Sequence, residues 1–166
     1  MRAVIPSQKI FVDFYQAAVF QLGNWEDWSM LGLFNADGYP DDEIWDKHAL
    51  EATWRLIQSS IADLRGPIKE NDPFFLNHAS TPSFHRESNW MLTILYPTVL
   101  AVTLQKKYQL TEFGAFNPEF CKEICEIFDQ AGVGFDVPCP YVPNWENQGK
   151  YPWPRKGKRR EPLTKD

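Results

Sequence analysis

The apolar stripe between Asp41 and Leu64 constrains the fold of this chain more than any other feature of the sequence. Its large side chains are spaced by 4, 3, 4 and 3 residues: Leu50, Trp54, Ile57, Ile61 and Leu64. These intervals place all of them on one face of an α-helix. We expect the helix to begin at Asp41 or Asp42, because carboxylates stabilise a helix N-terminus, and to stop at Gly66-Pro67. The residues predicted for the outer face or its edges are Lys47, Glu51, Arg55, Gln58 and Ala62.

Two further helices are predicted before this one. Ser7 is a suitable cap for an amphipathic helix that ends at Gly23, because apolar residues recur at intervals of three and four. These residues are Ile10, Phe11, Phe14, Ala17, Ala18 and Leu22. Asn24 then predicts the start of a short second helix that carries Trp28 and Leu31.

Segment 88–108 carries conflicting signals. Its β-branched residues, such as Ile94 and Val102, favour a strand, whereas its length and its polar ending at Gln105 favour a helix. We predict a helix in which Pro97 either introduces a kink or begins a new helix. An antiparallel hairpin within 89–104 is the alternative.

The last helix has clear local signals at both ends. Asn117 is a suitable cap, Pro118 fits the first helical position, and Gly132 fits the position after the last residue, Ala131. Its predicted core face consists of Phe120, Ile124, Ile127 and Phe128. From Val133 onward, prolines alternate with aromatic residues, which is typical of an extended arm rather than another packed element.

These elements predict a mostly α protein. A chain of 166 residues with 15% aromatic residues can bury a sizeable core. We expect an irregular single-domain bundle of four or five helices over 1–132, followed by a proline- and aromatic-rich arm over 133–166 that ends in a disordered basic tail. A hairpin within 89–104 would make the fold α+β instead.

The net charge of −5 hides two regions of opposite sign. Residues 150–166 carry seven basic and two acidic side chains, a net of +5, so the rest of the chain carries −10. An acidic surface repels polyanions and attracts basic partners. Nucleic acid is therefore expected to contact this chain only through the tail, at Arg155, Lys156, Lys158, Arg159 and Arg160.

The cysteines predict neither a disulfide framework nor a metal site. Cys121, Cys125 and Cys139 include no Cys-x-x-Cys pair, and we interpret them as buried side chains. No cofactor is predicted. The first residues lack the apolar run of a signal peptide, which favours a reducing cytoplasm. The uncharged stretch 88–105 contains polar residues and a central proline, so we interpret it as core and expect no membrane partner.

The loop region 66–87 contains the residues for one alternative function, a small enzyme. His78, His85 and Glu87 would supply hydrolase-type acid and base chemistry if the fold brought them into a cleft. However, the chain has no Gly-x-Ser-x-Gly elbow, Walker Gly-Lys pattern, Gly-x-Gly-x-x-Gly turn or His-Glu-x-x-His helix. His48, on the long helix, is interpreted as a partly buried surface residue.

Two tryptophans enclose two carboxylates in the sequence Trp25-Glu26-Asp27-Trp28. Anchor aromatics flanked by acidic residues are typical of a surface that binds a basic protein, although a core role for at least one indole is the competing interpretation. The sequence therefore predicts an acidic protein-binding module, of inhibitor or immunity type, that neutralises or regulates a basic partner. A second alternative is an adaptor whose basic tail contacts nucleic acid while its acidic body contacts protein.

Overall fold

The chain folds into packed helices with a small three-stranded antiparallel sheet, which confirms the predicted mostly α fold. The computed structural model describes residues 5–35, 38–39, 42–64, 90, 92–112 and 114–141. Within those ranges, no helix has both the length and the apolar character needed to span a bilayer.

Helix α1 occupies residues 8–23 and has the predicted bounds. It consists of an α-helical turn, Gln8–Ile10, a π-helical segment, Phe11–Gln16, and a second α-helical part, Ala17–Gly23. Ser7 caps it, since its Oγ accepts a hydrogen bond from the backbone N–H of Ile10 at 3.3 Å. Thus the local signals at both ends are sufficient to define this helix.

The prediction that Asn24 begins the next helix is wrong. Asn24 ends α1 instead: its side-chain amide donates a 2.7 Å hydrogen bond to the carbonyl of Phe20. A strand, β1 (Trp28–Ser29), and a single helical turn, α2 (Met30–Leu33), follow. Ser29 caps α2, because its Oγ accepts a hydrogen bond from the N–H of Gly32 at 3.1 Å.

Helix α3, Asp42–Gln58, is the predicted long helix but ends before Leu64. Ser60 adopts a left-handed backbone conformation with φ of 62°, and the N–H of Ile61 bonds to the carbonyl of Leu56 at 2.9 Å. This pattern is a Schellman turn, which terminates a helix. Ile61 is nevertheless fully buried, so the apolar stripe continues into the core after the helix has ended.

Part of the ambiguous segment forms the central strand of the sheet. Strand β3, Ile94–Pro97, pairs antiparallel with β1 on one side and with β2, Ala62–Asp63, on the other. Trp28 lies opposite Leu95, and Ala62 lies opposite Pro97. The prediction of a helix over 88–108 is therefore wrong for residues 94–97, and the strand pairs with distant segments rather than within a hairpin.

Helix α4, Val99–Tyr108, begins directly after this strand. The Oγ1 of Thr98 accepts a hydrogen bond from the N–H of Ala101 at 3.2 Å and donates one to the carbonyl of Ile61 at 2.8 Å. Thr98, rather than Pro97, is thus the residue that begins this helix. The Thr98 side chain therefore links the start of α4 to the turn after α3.

Helix α5, Pro118–Gln130, confirms the prediction for the last helix. The Oδ1 of Asn117 accepts a hydrogen bond from the N–H of Phe120 at 3.0 Å. Gly132 has a φ of 74°, and the N–H of Val133 bonds to the carbonyl of Phe128 at 2.9 Å, which forms a second Schellman turn. The core face is also confirmed for Phe120, Ile124 and Phe128, all fully buried, whereas Ile127 is only partly buried.

Arg55 is buried in the core of the protein, so the prediction that places it on the outer face of α3 is wrong. Its side chain is held by three hydrogen bonds: Nε to the carbonyl of Val133 at 3.1 Å, Nη2 to the carbonyl of Val137 at 2.9 Å, and Nη1 to the hydroxyl of Tyr15 at 3.3 Å. The guanidinium also lies 5.2 Å from the ring centre of Phe135. Buried polar groups require such partners.

Residues 133–141, which we call the C-terminal segment, therefore pack against the helices. The Phe135 ring meets the Tyr15 ring at 5.0 Å between centres and the Phe128 ring at 5.4 Å. The boundary after residue 132 stays a prediction. The remainder of the predicted arm, 142–166, lies outside the described residues.

Candidate functional site

Trp25 is the most exposed large aromatic side chain among the described residues, with 64% of its surface accessible. It stands directly after the end of α1 in a left-handed backbone conformation, with φ of 63°. Its N–H donates a 3.0 Å hydrogen bond to the carbonyl of Leu22, which fixes this turn against the helix. A bulky residue rarely adopts this conformation. The turn therefore holds the indole away from the core.

The neighbours of Trp25 divide between surface and core. Glu26 and Asp27 are exposed, while Trp28 is half-buried and packs against Gly32, where an added Cβ would lie 2.9 Å from the indole. The Nε1 of Trp28 donates a 3.1 Å hydrogen bond to a carboxylate oxygen of Glu26. Three of the four predicted binding residues, Trp25, Glu26 and Asp27, therefore lie on the surface. The fourth, Trp28, orients the carboxylate of Glu26.

A groove of about 410 Å³ lies beside Trp25. We call it the Trp25 groove. One wall is the end of α1, at Gly23, Asn24 and Trp25. The other wall is the last turns of α4 and the residues after it, at Val102, Gln105, Lys106, Gln109 and Leu110.

Gly23 sets the distance between the two walls of the Trp25 groove. A Cβ at this position would lie 2.3 Å from the Cβ of Gln105 and 2.8 Å from the carbonyl oxygen of Ala101. Only glycine permits so close an approach of the two helices. Because of it, the ends of α1 and α4 stand side by side.

Several polar groups that line the groove are hydrogen-bonded within the protein. The last carbonyls of a helix carry partial negative charge, and two helices end here. The Nε2 of Gln105 donates to the carbonyl of Leu110 at 2.9 Å, while its Oε1 is shielded from water and has no hydrogen-bond partner. Lys106 is the only charged residue among the described lining residues.

The α4 side of the groove was missed by sequence analysis. Gln105 marks the polar end of a helix in the sequence, but nothing in its spacing relates it to Trp25. The two are brought together by the packing of α1 on α4, which depends on Gly23. A glycine at the end of a predicted helix can mean that the helix stops there or that another segment packs closely against it, and the sequence does not distinguish the two.

All three cysteines have raised thiol pKa values. Burial raises the pKa of Cys121 to about 12 and that of Cys139 to about 11. Burial also raises the pKa of Cys125, which hydrogen-bonds with Cys121 along α5. In the part of the chain that the structure describes, no cluster of three or more His, Cys, Asp or Glu residues could hold a metal ion.

His48 is half-buried, as the sequence indicates, and it has structural contacts. Its Nδ1 lies 3.7 Å from a carboxylate oxygen of Glu51, and its ring centre lies 5.5 Å from that of Phe14. Burial raises the pKa of Glu51, but the nearby His48 imidazole and the charges of Lys47 and Arg55 outweigh this effect, so that the pKa lies below its usual value. These contacts join neighbouring turns of α3 and pack its surface against α1.

The residues of the two alternative functions lie outside the described part of the chain. This applies to the candidate catalytic residues, His78, His85 and Glu87, and to the candidate contacts in the basic tail: Arg155, Lys156, Lys158, Arg159 and Arg160. Both alternatives therefore stay predictions from sequence.

Comparison of this chain with known protein families, with curated proteins and with solved structures found no match.

Proposed function

We propose that this protein is an acidic binding module that regulates or inhibits a basic protein partner, and that it binds through Trp25 and the carboxylates beside it. The observation that carries the proposal is the 64% exposure of Trp25 on a turn fixed by hydrogen bonding. An exposed, pre-oriented tryptophan loses little side-chain freedom on binding and removes a large apolar area from water.

Charge supports the same proposal at longer range. Outside residues 150–166 the chain carries −10, and Glu26 and Asp27 place two of these charges beside the exposed indole. Such a field accelerates encounters with a basic protein and repels acidic ones. Charge therefore selects the class of partner, while burial of Trp25 supplies affinity at the centre of the contact.

The first test is capture of the partner from the native host by the full-length protein, followed by binding measurements with the purified partner. Truncation of a central interface tryptophan costs about 2 kcal/mol or more, so we expect Trp25→Ala to weaken binding at least about thirtyfold. Leu92→Ala is the matched control, because Leu92 is 79% exposed and lies outside the Trp25 groove. Salt should weaken the wild-type complex as well.

Calorimetric titration measures each dissociation constant. If Trp25→Ala binds as tightly as Leu92→Ala, or if binding does not change between low and high salt, the proposal is wrong.

A further inference from the structure

We infer that Cys121 and Cys125 together form a binding site for a single soft monovalent cation of the Cu(I) class. Both residues lie on α5, and neither lines the Trp25 groove. The inference is therefore independent of the proposed function.

The two thiols lie on the same side of α5, because residues four positions apart stand one above the other on a helix. Their side chains hydrogen-bond to each other, so the two sulfur atoms are neighbours. Cys121 is buried in the core, whereas Cys125 is half-buried. The open side of the pair is therefore at Cys125.

The geometry of the helix favours a bridging ion over a direct bond between the two sulfurs. On a regular α-helix the Cβ atoms of residues four positions apart are about 5–6 Å from each other. A disulfide brings its Cβ atoms to about 3.5–4.5 Å, so its formation would distort α5. An ion that binds between the two sulfurs spans a longer distance, and α5 keeps its shape.

The number of ligands selects the class of ion. In the ranges that the structure describes, no three Cys, His, Asp or Glu residues form a cluster suited to a metal ion, so the pair supplies two ligands. Protein zinc sites use three or four ligands, and iron–sulfur clusters use four cysteines. Thiolates prefer soft ions, and Cu(I) is a soft ion that forms stable complexes with two thiolates.

The surroundings of Cys125 attract a cation. Glu126 and Asp129 are exposed on α5, and their negative charges act on the Cys125 thiol. Burial, and to a smaller extent these charges, raises the pKa of this thiol, so the pair is protonated before an ion binds. Coordination displaces the proton from each thiol. One Cu(I) ion therefore enters, two protons leave, and the occupied pair carries one negative charge.

The test is an anaerobic titration of the reduced full-length protein with Cu(I), in competition with the coloured Cu(I) chelator bicinchoninate. We expect one ion to bind per chain. Loss of an outer partner weakens a metal site about 10- to 100-fold, so removal of one of only two ligands, in Cys121→Ser or Cys125→Ser, should weaken binding at least about a hundredfold. Cys139→Ser is the matched control, because Cys139 lies outside α5, and this variant should bind Cu(I) as tightly as wild type does.

Alkylation of the wild-type protein supplies a second measurement that does not depend on whether the variants fold. Cys125 and Cys139 are both half-buried, so their rates of reaction with N-ethylmaleimide can be compared by mass spectrometry. One equivalent of Cu(I) should slow the reaction of Cys125 and leave that of Cys139 unchanged. Equal protection of both cysteines, equal Cu(I) affinity of Cys125→Ser and Cys139→Ser, or no binding in competition with bicinchoninate overturns the inference. None of these results changes the proposed function, which the partner-binding measurements on Trp25 test separately.

Discussion

At the scale of single residues, Arg55 decides where the C-terminal segment lies. Its guanidinium satisfies the carbonyls of Val133 and Val137 and covers the ring of Phe135. A residue with five donors in a rigid fork can bond to several carbonyls at once. All three acceptors of Arg55 are far from it in the sequence: Tyr15 lies forty positions earlier, and Val133 and Val137 lie about eighty positions later.

We therefore expect Arg55→Met to lower the free energy of unfolding by about 2 kcal/mol, because the buried carbonyl of Val133 and the partly buried carbonyl of Val137 lose their donor while the apolar part of the side chain is kept. Amide protons in residues 133–141 should exchange faster in this variant. Urea denaturation and hydrogen exchange measure the two effects. Lys47→Met on the exposed side of α3 is the control, and equal stability of the two variants would show that Arg55 does not hold the segment.

At the scale of elements, Glu123 links α4 to α5. Its carboxylate accepts a hydrogen bond from Lys107 at 2.7 Å and a short one from the hydroxyl of Tyr108. The pKa of Glu123 lies below its usual value, mainly because of the hydrogen bond from Lys107 and to a smaller extent because of the hydrogen bond from Tyr108. The carboxylate therefore stabilises the folded state when it is ionised.

This contact predicts a pH-dependent effect of Glu123→Gln. A lowered pKa in the folded state means that stabilisation is present above the unfolded-state pKa and is lost as pH falls through the folded-state pKa. The variant should thus be less stable than wild type at pH 7 and equal to it in strong acid. Denaturation across this pH range tests the prediction, with Glu126→Gln, on the exposed side of α5, as the control. A stability difference that does not change with pH would contradict it.

At the scale of the whole molecule, the core extends beyond the last helix. Phe11, Tyr15, Phe128 and Phe135 have ring contacts that join α1, α5 and the C-terminal segment. A bundle that ended after Gly132 would leave these rings partly uncovered. We therefore expect the apolar residues of 133–141 to unfold together with the helices.

The corresponding prediction compares two shortened chains. A chain ending at residue 141 should be more stable than one ending at residue 132 by about 3 kcal/mol or more, the usual cost of deleting one large buried aromatic side chain. Thermal and urea unfolding of both chains gives the difference. Equal stability would mean that the helices form a complete domain without residues 133–141.

The sequence by itself determined the parts of the fold that depend on neighbours three to five positions apart. The cap at Ser7, the Asn117-Pro118 start of α5 and the glycine that ends it are all local, and each lies where the sequence indicates. These hydrogen bonds join residues only a few positions apart, so they depend less on the rest of the chain than tertiary contacts do.

Only the tertiary structure decided the end of α3, the strand at Ile94–Pro97 and the second wall of the Trp25 groove. Apolar residues continue at intervals of three and four as far as Ile61, although the helix stops at Gln58. Ile61 is buried all the same, because the turn and strand that follow the helix also direct it into the core. Strand β3 forms because β1 and β2 supply pairing partners from more than thirty positions away. Likewise, Gln105 meets the end of α1 because Gly23 permits close packing. Such contacts join residues far apart in the chain, and no local pattern encodes which of them will meet.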